Sequence, residues 1–99
     1  MIRRDFGRLR QTDSDQILQE LTTRQHMTPH RPLGEVVEAA SQALGFCPQA
    51  AETAIGWLQL DVNKAIGRLR RTELIQLSRS IHRHWRQALA TWGIHCQPA

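Results

Sequence analysis

Residues 36–69 read VVEAASQALGFCPQAAETAIGWLQLDVNKAIGRL, and this stretch decides the fold. Leu44-Gly45-Phe46 is followed by Ala51, Ala54 and Ile55, then by Val62, Ala65, Ile66 and Leu69. At about 3.6 residues per turn these positions form two short apolar faces separated by a glycine turn, each too small to be stable alone. Ala51, Ala54 and Ala65 let helix axes approach, while Phe46, Ile55, Val62 and Leu69 supply buried area. The expectation is a compact three-helix knot, a scaffold suited to binding more than to catalysis.

Its boundaries follow from local chemistry. Val36, Val37, Ala40 and Leu44 line a first helix, which Gly45 ends at a position favouring positive φ. Pro48 suits the first turn of a second helix, 48–58, and Asp61 is placed to cap a third, 62–71. Gly56 and Gly67 would each cost about 1 kcal/mol inside a helix, so both are read as sites of close helix approach.

Upstream, Thr12-Asp13-Ser14-Asp15 is a dense helix-start signal, and Ile17, Leu18 and Leu21 make a narrow stripe, predicting a helix over 13–26. Pro29 and Pro32 make Met27–Pro32 a linker. Downstream, residues 73–92 are strongly amphipathic. At about 100° per residue, Leu74, Leu77, Ile81, Trp85, Ala88, Leu89 and Trp92 share one side and Arg79, Arg83 and Arg86 the other. Gly93 is placed to cap this helix. The chain therefore divides into a basic arm (1–12), a leading helix and proline linker (13–32), a helical core domain (33–93) and a tail (94–99). The fold expected is all-α, a small bundle of five helices.

The pattern Leu44-Gly45-Phe46, Ala51-x-x-Ala54-Ile55 and Asp61-Val62-x-x-Ala65-Ile66-x-x-Leu69 resembles the ubiquitin-associated (UBA-like) three-helix fold. The segment LGFCPQAAETAI is similar to the start of the C-terminal domain of the bacterial Holliday-junction branch-migration subunit, and elongation factor Ts carries a related module. The resemblance covers about a third of the chain. It implies a fold more than a function, since such domains bind ubiquitin, translation factors or helicase motors. It also implies an apolar docking patch at Leu44, Gly45, Phe46 and Leu69, which would make the chain a protein–protein adaptor. Alternatively, Phe46 plugs the core.

A second resemblance competes. Ala54-Ile55-Gly56-Trp57-Leu58 is similar to a motif of small bacterial winged-helix domains, and 51–77 can be read as helix-turn-helix. Asn63, Lys64, Gly67 and Arg68 would then face a major groove. Gln59 in place of glycine, and helical periodicity where a wing needs strands, count against it.

Charge is sharply partitioned. Arg3, Arg4, Arg8 and Arg10 oppose only Asp5 in residues 1–10, for +3. Residues 11–63 set Arg24 and Arg31 against seven acids, for −5; residues 64–86 set seven bases against Glu73, for +6. The whole chain of 99 residues carries +4, with 13 basic residues of which only Lys64 is not arginine. Arginine's planar fork suits phosphate and carboxylate, so an anionic partner is expected, either nucleic acid (DNA or RNA) or an acidic protein. The residues expected to carry this are Lys64, Arg68, Arg70, Arg71, Arg79, Arg83 and Arg86, assisted by Arg3 and Arg4. The competing reading is a solvated basic surface that only aids solubility.

Other classes find little support. No apolar run is long enough for a membrane span, and the charged N-terminus lacks the apolar centre of a secretion signal, so a cytoplasmic protein is expected. A reducing compartment would keep Cys47 and Cys96 as thiols. His82 and His84 diverge by about 200° on a helix and cannot share an ion. No phosphate-cradling loop or nucleophile elbow is present. No catalytic residue, metal or cofactor is expected. The tryptophans are expected to fill the core, or, if Trp85 and Trp92 are exposed, to join two copies through the last helix.

Overall fold

A computed structural model describes residues 13–92. The first helix, α1, spans Ser14–Met27. Asp13 opens it with a reciprocal capping box: its Oδ1 accepts the Gln16 amide at 3.0 Å, and Gln16 Oε1 accepts the Asp13 amide at 3.3 Å. Two otherwise orphaned donors are thereby satisfied. Ile17 and Leu21, one turn apart, turn into the core.

Helix α2, Leu33–Leu44, ends at Gly45, whose φ of 82° lies in the left-handed region as expected. Helix α3, Pro48–Trp57, begins with proline in its first turn. It closes in a Schellman motif without glycine: the Leu60 amide reaches Ile55 O at 3.0 Å and the Gln59 amide reaches Gly56 O at 3.1 Å. Gln59 is therefore forced to φ 58°. Helix α4 runs Arg71–Trp92, confirming the long amphipathic element.

The helix expected over 62–71 does not form. Only Ile66–Arg68 makes a 3-10 turn, so the fold has four α-helices among the described residues. The reason is competition for carbonyls. Pro32, the N-cap of α2, has no side chain to cap with. The first α2 amides instead take carbonyls from downstream: Leu33 N–H donates to Lys64 O at 2.8 Å and Gly34 N–H to Val62 O at 2.9 Å. The amides of Ile66 and Gly67 in turn donate to Arg31 O and Pro29 O, at 2.9 and 2.8 Å, and Pro32 and Ala65 form an antiparallel bridge. Gln25 Nε2 donates to Ile66 O and Leu69 O, at 2.8 and 3.0 Å. Asp61 does not cap a helix; its Oδ1 accepts the Asn63 amide within a turn.

This clasp also explains one of the glycines. A Cβ on Gly67 would meet Pro29 Cβ at 2.7 Å and Pro29 O at 2.9 Å, so the close approach is to the linker and not to a helix. At Gly56 nothing lies within 4 Å, and the expectation of close packing there fails.

Helix α4 packs along α3 and α1, and α2 packs against those same two. The core joins Ile17 and Leu21 to Leu33, Val36, Val37 and Ala40, to Ala50, Ala51, Ala54 and Ile55, and to Leu74, Leu77, Ile81 and Trp85. Phe46, Ile66 and Leu69 enter it from the connections. The Cys47 sulfur is buried and engaged in a disulfide, so the thiol expected there is corrected; Cys96 lies outside the described residues. So do the basic arm 1–12, Gly93 and the tail, and the side chains of Leu89 and Trp92.

Candidate nucleic-acid interface

Helix α4 presents the arginines because its opposite face is apolar. Leu74, Leu77, Ile81 and Trp85 are buried, which fixes the rotation of the helix and leaves Arg79, Arg83 and Arg86 exposed. Arg68, Arg70 and Arg71 are exposed at its N-terminal end, and Lys64 is half-buried in the preceding loop. Arg79, Arg83 and Arg86 share one face of α4 as a basic ridge, and Arg68, Arg70 and Arg71 stand at its N-terminal end, roughly 22 Å from Arg86 at about 1.5 Å per residue.

Ion pairing divides the arginines into two groups. Arg24 pairs with Glu20 at 2.6 Å and Arg31 with Glu35 at 3.8 Å, both within the acidic middle of the chain. Arg68, Arg70, Arg71, Arg79, Arg83 and Arg86 form no ion pair with any described residue. The one acid in their stretch, Glu73, is spent on the backbone, its Oε1 accepting the Arg70 amide at 2.8 Å. Arg70 and Arg71 also stand at the positive end of the α4 macrodipole, where cations are disfavoured by about 0.3–1 kcal/mol each. Meanwhile Glu38 and Glu52 flank a cleft between α2 and α3 lined by Val37, Ala51, Ile55 and Val62. The charge blocks of the sequence thus become a basic α4 and an acid-flanked α2–α3 side.

Arg3 and Arg4 lie outside the described residues. The remaining expected sites fare differently. Phe46 is 0% exposed and Leu69 is buried, so neither offers an apolar docking surface; Leu44 is half-buried and only Gly45 is open. Asn63, Lys64, Gly67 and Arg68 do not lie along a recognition helix, because that segment is the clasp. Trp85 is buried within its own chain and is not free to join two copies. Among the described residues no three His, Cys, Asp or Glu side chains gather as a metal site, and no helix is long and apolar enough to cross a membrane.

One large aromatic side chain lies outside the core. Trp57, expected in the core, is 74% exposed. Its indole meets the His84 ring edgewise, with centroids 6.3 Å apart and planes at 65°. Trp57 stands seven residues, two turns, beyond Ala50, on the side of α3 facing the flank of α4. There Cys47, Gln49, Ala50 and Thr53 meet His84, Gln87 and Ala88 around a cleft of about 260 Å³. A side chain at the last turn on that side passes beyond the core.

The chain matches no protein-family profile, no curated protein and no solved structure.

Proposed function

We propose that this chain is a small non-enzymatic binding protein that holds nucleic acid, DNA or RNA, along the arginine ridge of α4. The observation that carries the reading is that Arg68, Arg70, Arg71, Arg79, Arg83 and Arg86 are all exposed and unpaired among the described residues. A surface evolved only for solubility gains more from interspersed charges of both signs than from a one-sign ridge. Lining such a ridge with arginine and spending its sole acid on a helix cap leaves a field that a polyanion neutralises. Binding would proceed by phosphate neutralisation and counterion release, with affinity falling steeply as salt rises.

The test is anisotropy of a labelled duplex and a labelled single strand, titrated with protein between about 50 and 200 mM salt. If three to six arginines contact phosphates, log Kd against log salt should have a slope of about 3 to 5 in magnitude on duplex. Arg79→Glu, Arg83→Glu and Arg86→Glu together should abolish binding while leaving the helical signal intact, since all three side chains are exposed. Wild-type protein that ignores DNA and RNA at low salt refutes the proposal. Partners that stay bound after nuclease treatment would transfer the ridge to an acidic protein.

A further inference from the structure

A polyanion on the α4 ridge could be duplex or single-stranded, and Trp57 distinguishes the two. The largest side chain in the repertoire sits in water at 74% exposure, although its neighbours Ala54 and Ile55 are buried. An indole left there forgoes the burial that usually justifies it. It is also braced: the edge contact with His84 restrains the ring without covering it. His84 is the neighbour of Arg83 in α4, about 100° around the helix and about 1.5 Å along it. The indole therefore lies beside the Arg83 edge of the basic face of α4, with Arg79 and Arg86 about 140° and 160° around the helix from His84. A strand that stacks a base on the indole meets Arg83 first and reaches Arg79 and Arg86 by following its backbone around α4.

We infer that Trp57 is a base-stacking platform and that the ligand of the ridge is single-stranded nucleic acid. This rests on the reading of the ridge as a phosphate-binding surface. In a duplex the base faces are already stacked and offer nothing to an indole, whereas a single strand splays bases onto exposed aromatic rings while its backbone follows cations. The recognition helix that a groove-reading protein would need at 62–71 is also not formed. Stacking tolerates any base, so the preference is for strandedness and not for sequence.

The test uses the full chain, a labelled oligothymidylate of about 20 nucleotides and a duplex of equal length. Wild type should bind the single strand more tightly than the duplex at equal salt. Trp57→Ala should weaken single-strand binding about tenfold, leaving duplex affinity and both salt slopes unchanged, while Trp57→Phe retains most of the affinity. Circular dichroism should show both variants folded, because the side chain is exposed. If Trp57→Ala leaves single-strand affinity intact while the triple arginine-to-glutamate variant abolishes it, the inference falls and the ridge stands. If Trp57→Ala weakens duplex and single strand equally, Trp57 is not a stacking platform. If the wild type binds neither polymer, the ridge reading fails and takes this inference with it.

Discussion

Gly67→Ala and Gly56→Ala add the same methyl group and should change stability in opposite directions. At Gly67 the new Cβ would stand 2.7 Å from Pro29 Cβ, 2.9 Å from Pro29 O and 3.2 Å from Pro29 Cα. Those atoms belong to a ring and a backbone, neither of which can swing aside. Separation would stretch the Gly67 amide bond to that same carbonyl, now 2.8 Å. Overpacking costs about 1–3 kcal/mol and a lost hydrogen bond about 1 kcal/mol. Restricting the unfolded chain returns about 0.4–1 kcal/mol. The net loss is about 2 kcal/mol, a large share of the roughly 5–15 kcal/mol that holds a domain together. At Gly56, inside α3 with nothing within 4 Å, alanine should gain about 0.5–1 kcal/mol. Urea unfolding followed by circular dichroism measures both, with an unchanged m-value confirming that only stability has moved. In thermal melts the Gly67 variant should lose about 8–16 °C. A Gly67→Ala protein as stable as wild type, or a shared sign for both substitutions, would refute the clasp geometry.

Gln59→Gly should stabilise by about 0.5–1 kcal/mol, since φ 58° suits glycine and strains glutamine; an unchanged urea midpoint would count against the Schellman closure of α3. Gln25→Ala should cost about 1–2 kcal/mol in the same assay, because one amide serves both Ile66 O and Leu69 O. Phe46→Ser should cost about 3–5 kcal/mol and erode the helical signal, as a fully buried ring leaves a cavity and a buried hydroxyl replaces it. A folded Phe46→Ser protein would return that side chain to the surface.

The elements legible in the sequence are those whose hydrogen bonds are local. Asp13, Gly45, Pro48 and the apolar stripe of α4 each act within a turn or two of their own position, and the helices they predict are present. The segment 62–71 has the same helical periodicity, yet its carbonyls at Val62, Lys64, Ile66 and Leu69 are taken by Gly34, Leu33 and Gln25. No local pattern records a claim made from so far along the chain. The arginine face was legible because Leu74, Leu77, Ile81 and Trp85 set the rotation of α4. Phe46 and Trp57 were ambiguous for the complementary reason: burial of a single aromatic beside a turn depends on tertiary packing, which leaves Phe46 inside and Trp57 out.

The borrowed cap of α2 has a consequence for how the molecule is made. During synthesis its opening amides emerge well before Val62 and Lys64, whose carbonyls receive those of Gly34 and Leu33. Its start stays hydrated until the later segment arrives, so a peptide cut before Asp61 carries a helix with an open end. The two halves of the chain are therefore obliged to mature together, each finishing the other.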